Sequence, residues 1–90
     1  MMNITKLEKK ALVGLYEIVK ENSGVQEPDE LFDDCYGPTD VEEVAEKINE
    51  SINTTKGVIG SLIKKGLAYS DNEIINLNPS ENCVKLLKEI

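Results

Sequence analysis

The spacing of the apolar residues is the feature that most constrains the fold of this 90-residue chain. Four short runs repeat their apolar positions at intervals of three or four residues, which places those residues on one side of a helix. Turn-forming residues such as Asn22-Ser23-Gly24 and Gly66 separate the runs. A chain of this length has room for one hydrophobic core. The pattern therefore predicts a single, mostly helical domain.

The predicted helices have clear starts. A capping box of Thr5 and Glu8 opens the first helix, and a second box of Thr39 and Glu42 opens the next. Pro79 suits the first position of the last helix, behind an N-cap at Asn78. The predicted helices span residues 5–22, 40–48, 54–65 and 79–90.

Two further elements fill the gaps between these helices. Residues 25–38 break the helical period and are rich in acids, and Pro28 favours a short helix near their start. Residues 49–53 predict a turn in which Ile52 points inward. Residues 67–77 contain two short β-like runs around Asp71-Asn72, a pair that tolerates the left-handed angles of a tight hairpin.

The segment Leu62-Ile-Lys-Lys-Gly-Leu-Ala68, followed by a short hairpin, resembles the end of the recognition helix in MarR-like winged helix-turn-helix regulators. The resemblance covers about residues 5–90 and implies a mostly α fold with a small β-hairpin wing. It also implies a DNA-binding transcriptional regulator whose helix 54–65 enters the major groove of double-stranded DNA. A homodimer is expected, and helices 5–22 and 79–90 are expected to join the subunits because they carry the remaining long apolar surfaces.

Carried over by position, the candidate DNA-binding residues lie off the apolar stripe of helix 54–65. Hydroxyl groups and lysine can bind phosphates or base edges, asparagine can pair with adenine, and glycine permits close approach of a backbone. An alternative is that Asn53 or Thr54 caps the helix and that the glycines pack against a neighbouring helix. The candidates are Asn53, Thr54, Thr55, Lys56, Gly57, Gly60, Ser61, Lys64 and Lys65.

The net charge of -7 is unevenly distributed along the chain. Residues 54–66 carry three lysines and no acid, a net +3, whereas residues 23–53 carry ten acids and one lysine, a net -9. The lysines of the first helix are interpreted as a solvated face. The chain has no arginine for a bidentate contact with guanine, and acids occupy the predicted wing tip. The recognition helix is therefore the one segment with a clear positive excess.

The acidic segment supports a different function, a protein-binding adaptor or inhibitor that uses the 27–43 acidic face and could mimic phosphates. In this function, Leu31, Phe32 and Tyr36 would make apolar contacts with the partner, and the neighbouring carboxylates would surround them. The alternative is a solubilising loop in which Phe32 and Tyr36 fill the core. The candidate protein-binding residues are Asp29, Glu30, Leu31, Phe32, Asp33, Asp34 and Tyr36.

Several chemistries have little support in the sequence. Without histidine, the chain cannot build a histidine general base, a histidine-ligated zinc site or a Ser-His-Asp triad. We therefore expect no enzymatic activity, no cofactor and no metal. Cys35 and Cys83 are expected to be reduced thiols in the cytoplasm, since a disulfide-dependent small domain usually carries more cysteines. The chain also lacks an apolar run long enough to span a membrane.

Overall fold

The computed structural model describes residues 3–32 and 38–90. The fold is mostly helical with a two-stranded antiparallel hairpin, in the winged helix-turn-helix order predicted from the sequence. No helix in the described residues is long and apolar enough to cross a membrane. The elements are α1 (Lys6–Ser23), a 3-10 turn (Pro28–Phe32), α2 (Val41–Ile48), α3 (Ile52–Lys64), β1 (Ala68–Asp71), β2 (Ile74–Leu77) and α4 (Glu81–Glu89).

The core lies where α1 meets the helix-turn-helix and the hairpin. Leu12 and Leu15 of α1 are fully buried, as are Leu62 at the end of α3 and Leu77 of β2. The three helical leucines come from the predicted apolar stripes, and Leu77 comes from the second predicted β-like run. Burying a leucine side chain contributes about 1.5–3 kcal/mol. The stripes therefore hold α3 in a fixed orientation against the rest of the domain.

The hairpin that follows α3 has a defined register. Ala68 pairs with Leu77, and Asp71 pairs with Ile74. The left-handed residues of the turn are Asn72, with a φ of 49°, and Glu73, with a φ of 72°. The sequence interpretation that placed the turn at Asp71-Asn72 was therefore shifted by one residue.

Thr39 does not cap α2 as predicted. Its backbone pairs with Ile75 of β2 through hydrogen bonds of 2.9 and 2.8 Å. Asp40 is the N-cap instead, and its carboxylate accepts a hydrogen bond of 2.8 Å from the backbone N–H of Glu43. The capping box of Thr39 and Glu42 is therefore wrong by one residue: the backbone of Thr39 pairs with the hairpin, and its hydroxyl donates a hydrogen bond to the carboxylate of Glu43.

The start of α3 also differs from the prediction. Ser51 caps the helix by accepting a hydrogen bond of 3.1 Å from the backbone N–H of Thr54. The helix therefore begins at Ile52, two residues before the predicted start, and neither Asn53 nor Thr54 is its cap. Ile52 is 45% exposed, so the expectation that it anchors the turn from inside was wrong.

The last helix begins later than predicted. Ser80 caps α4, whereas the Asn78 side chain donates a hydrogen bond of 2.9 Å to the carbonyl of Gly66. Asn78 therefore joins the end of α3 to the end of the hairpin. Cys83 is buried, with its Sγ 4.0 Å from the carbonyl oxygen of Leu67. Cys35 lies outside the described residues.

We expect Gly14→Ala to destabilise the protein, because α1 and α2 approach closely at Gly14. A Cβ atom at this position would lie 2.6 Å from Cγ2 of Ile48. Overpacking of this kind costs about 1–3 kcal/mol, which outweighs the helix propensity of alanine, about 1 kcal/mol. Urea unfolding will measure the loss. In an Ile48→Ala background the same substitution should be neutral or stabilising, and an equal loss there would contradict the explanation.

Candidate nucleic-acid interface

One side of α3 is turned away from the core along its whole length. Residues spaced four, three and four apart lie along one line of a helix, and here that line is opposite the buried stripe. Three of its members are exposed and Gly60 is half-buried. We call this line the exposed α3 face. It consists of Asn53, Gly57, Gly60 and Lys64.

The two glycines of the exposed α3 face are not required by packing. A Cβ atom built at Gly57 or Gly60 would meet no atom of the described residues within 4 Å. The alternative that these glycines pack against a neighbouring helix is therefore wrong. Each costs α3 about 1 kcal/mol relative to alanine. The fold consequently leaves open, at some cost in stability, a strip where another molecule could approach the helix backbone.

Thr55 does not belong to this surface. It is fully buried, and its hydroxyl donates a hydrogen bond of 2.8 Å to the carbonyl of Ser51. Its prediction as a DNA-contacting residue was wrong because Thr55 precedes Val58, Ile59 and Leu62 by three, four and seven residues and so lies on their buried side of α3. Thr54 is exposed beside the cap. Ser61 is half-buried and donates a hydrogen bond of 3.3 Å to the carbonyl of Gly57.

Lys65 is held by the first helix. Its Nζ lies 2.7 Å from Oε1 of the buried Glu8 and 3.1 Å from the backbone oxygen of Asn3. The Lys65 ammonium, followed by the backbone N–H of Thr5, holds the pKa of Glu8 below its ordinary value although burial acts in the opposite direction. The positive charge of Lys65 is therefore largely balanced within the protein, which argues against its predicted role.

The other two lysines of α3 are exposed. Lys56 and Lys64 form no salt bridge with any residue of the described ranges. Of the three charges that gave residues 54–66 their positive excess, these two remain available to a partner.

The fold brings further lysines to the surface formed by α1 and the end of α2, which we call the α1 side. Lys6, Lys9 and Lys10 line a groove together with Asn49, at the turn before α3. Lys10 is paired with Glu50 of that turn at 2.7 Å. Lys6 and Lys9 are exposed and form no salt bridge in the described part of the chain. The sequence interpretation treated these lysines as a solvated face and missed their position beside the turn.

The flank of α3 that borders the hairpin, which we call the wing side, is acidic. Asp40 and Glu42 at the start of α2 and Glu73 of the hairpin line one groove with Lys56 of α3. Asp71 is also exposed at the hairpin tip. The helix-turn-helix therefore carries lysines beside the turn that precedes α3, on the α1 side, and carboxylates beside α3 itself, on the wing side.

Of the two described apolar residues in the acidic segment, one is buried and one is exposed. Leu31 is buried in the core, with 1% of its surface exposed, so its prediction as a partner contact was wrong. Phe32 is 54% exposed, which contradicts the alternative that it fills the core. Phe32 thus remains available to a partner, whereas Leu31 does not.

Two carboxylates of this segment have partners within the chain. Asp29 pairs with Lys88 of α4 at 2.7 Å. Glu30 accepts hydrogen bonds of 2.8 and 2.7 Å from the backbone N–H groups of Gln26 and Glu27. Both groups therefore contribute to local structure. The predicted contacts Asp33, Asp34 and Tyr36 lie outside the described residues.

The apolar stripes expected to join two subunits are occupied within one chain. Leu12, Leu15 and Ile18 of α1 are buried in the core, and so are Val84 and Leu87 of α4. The homodimer stays a prediction. Its expected use of the apolar surfaces of helices 5–22 and 79–90 loses its physical basis, since those surfaces are already covered.

Comparisons with protein-family models, curated proteins and solved structures found no match for this chain. The MarR-like resemblance therefore remains a prediction from the sequence.

Proposed function

We propose that this chain is a DNA-binding transcriptional regulator that acts in the cytoplasm and reads the major groove with α3. The observation that carries the proposal is the exposed α3 face, which contains no acid and includes two glycines that packing does not explain. Helix-turn-helix proteins place the second helix of the motif in the major groove. The open strip along α3 provides room for that approach.

The chemistry of the exposed α3 face fits a duplex. Asn53 can donate to and accept from adenine in the major groove, and Lys64 can contact guanine or phosphate. At Gly57 and Gly60 the absence of side chains lets the helix backbone come close to the DNA. Base contacts at this face would supply specificity, and lysine contacts would supply much of the affinity.

The charge on the two flanks sets the orientation of the duplex in this proposal. Lys6 and Lys9 on the α1 side attract phosphates, whereas Asp71 and Glu73 at the hairpin tip repel them. The duplex would therefore lie toward α1 and away from the wing. As a homodimer, the protein would read two half-sites about one DNA turn apart.

A gel shift on a random duplex, followed by a salt titration, tests the proposal. At about 50 mM salt the folded protein should bind, because phosphate contacts are strongest at low ionic strength. Lack of binding by protein that is folded by circular dichroism would exclude the proposed function. Light scattering on the complex would measure how many chains bind one duplex.

We expect Lys9→Gln combined with Lys64→Gln to make DNA binding less salt-dependent. Each phosphate contact adds about 0.9 to the slope of log affinity against log salt, so the double variant should lose about two units of slope. Lys20→Gln with Lys85→Gln is the matched control, since it removes two exposed lysines from other parts of the surface. If both double variants reduced the salt slope equally, the reduction would reflect net charge and not phosphate contacts made by Lys9 and Lys64.

A further inference from the structure

An apolar groove lies on the wing side of α3 and shares one lining residue, Gly60, with the exposed α3 face. It has a volume of about 500 Å³ and is bounded by the start of α2, by α3 and by the hairpin. Ile59 and Ile75 are buried at its base. Ile52 and Ile63 also line it and remain 45% and 37% exposed. The isoleucines of α3 thus form an apolar surface on this side that extends from the core to the solvent.

The rim of this groove is predominantly negative. Asp40, Glu42 and Glu73 line it, and Lys56 is the one cation among the described lining residues. No salt bridge within the described residues neutralises any of the three carboxylates. A groove with an apolar base and an acidic rim repels phosphate but suits apolar side chains flanked by cations.

We propose that this groove binds a basic amphipathic helical segment of another protein. Ile52 and Ile63 are eleven residues apart, which corresponds to about 16 Å along α3, or three turns of a bound helix. The apolar side of such a segment would contact these isoleucines, in the manner of a helix bound in a groove. Its lysines or arginines would face Asp40, Glu42 and Glu73.

A second copy of this chain fits the groove less well. The apolar stripes of α1 and α4 are buried in the core, so the lysine-bearing helices of the described structure have no long apolar side to offer. Duplex DNA is disfavoured by the carboxylates of the rim. A basic amphipathic helix of another protein is therefore the better occupant, and the proposal does not depend on whether α3 binds DNA.

The test uses a fluorescein-labelled peptide of about 14 residues, with leucines on one helical side and lysines elsewhere. A scrambled peptide of the same composition is the first control. Fluorescence anisotropy should show binding at least about tenfold tighter for the amphipathic peptide, because only that order aligns its leucines with the groove. Equal binding of both peptides would overturn the proposal.

Protein variants locate the binding site. The double variant Ile52→Ser, Ile63→Ser should bind the peptide about tenfold or more weakly, since both isoleucine side chains supply exposed apolar contacts. Glu42→Gln with Glu73→Gln should lower affinity and reduce its salt dependence. Glu81→Gln with Glu89→Gln removes the same charge from α4 and should change neither. Unchanged binding by the isoleucine variant would overturn the proposal.

Two further outcomes would assign the groove to another occupant and so overturn the proposal. One is a dimer in sedimentation equilibrium that dissociates in the isoleucine variant, which would identify a second copy. The other is a loss of duplex binding in the isoleucine variant, which would identify DNA. The duplex contacts proposed for Lys9 and Lys64 lie outside the groove. Failure of peptide binding is therefore distinguishable from failure of DNA binding.

Discussion

Replacing both Gly57 and Gly60 with alanine should raise the free energy of unfolding by about 2 kcal/mol, because each glycine costs an exposed helix about 1 kcal/mol relative to alanine. Both added methyl groups enter open space in the described structure, so no repacking opposes the gain. The same variant should bind a duplex about tenfold or more weakly, since the methyl groups occupy the strip through which the DNA approaches. Greater stability and weaker binding should therefore appear in one protein.

Urea unfolding and duplex titration of the same samples measure the two effects of this double variant. Gly14→Ala provides a contrast, because its added methyl group meets Ile48 and should lower stability without touching the exposed α3 face. If the double variant became more stable and bound DNA as tightly as the natural protein, the glycines would have no role in the proposed interface.

The helix positions followed from the sequence because burial determines them. Apolar residues such as Leu12, Leu15 and Leu62 have one stable arrangement, with their stripes turned toward a common core. The capping box of Thr5 and Glu8 was also predicted correctly, and both of its hydrogen bonds are present. Local pattern and tertiary packing agree at these sites.

The predicted caps of the other helices failed where several capping residues stand in a row. Ser51, Asn53 and Thr54 can each cap a helix, and so can Thr39 and Asp40. Local propensity does not choose among them. The choice depends on tertiary contacts, such as the backbone pairing of Thr39 with the hairpin, and these are not evident from residue spacing.

The candidate site depends on tertiary structure in the same way. The sequence places Lys65 beside Lys64, yet the fold turns Lys65 toward a carboxylate on α1 and leaves Lys64 exposed. The position of Lys6 and Lys9 near the turn before α3 follows from helix packing. Charge counted along the chain could identify the positive helix but could not determine which of its charges remain available.

The net charge of -7 has a spatial order that bears on both proposals. Lysines lie beside the turn before α3, on the α1 side, and carboxylates flank α3 on the wing side. Exposed charges farther apart than the Debye length, about 8 Å at physiological salt, are largely screened from each other, so a partner responds mainly to the charges nearest to it. A polyanion would therefore be attracted to the α1 side and a basic protein segment to the wing side.

Replacing Glu8 with alanine should cost about 2–3 kcal/mol of stability. Its buried carboxylate accepts hydrogen bonds from Nζ of Lys65, at 2.7 Å, and from the backbone N–H of Thr5, at 2.8 Å. The first joins α1 to the end of α3, and the second completes the cap of α1. Because about a third of the Lys65 side chain is exposed, the loss should stay below the 3–5 kcal/mol typical of a fully buried pair.

Glu8→Gln separates the charge from the hydrogen bonds and predicts a pH dependence. The Lys65 ammonium, then the Thr5 backbone N–H, lowers the pKa of Glu8 in the folded protein, so folding favours the ionised carboxylate. This stabilisation is complete above the unfolded pKa of about 4.3 and is lost as pH falls through the lower folded pKa. The stability difference between the natural protein and Glu8→Gln should therefore shrink below about pH 4.3 in urea titrations. Glu81→Gln, at an exposed surface pair, should show little difference at any pH, and a Glu8 effect independent of pH would contradict the role of its charge.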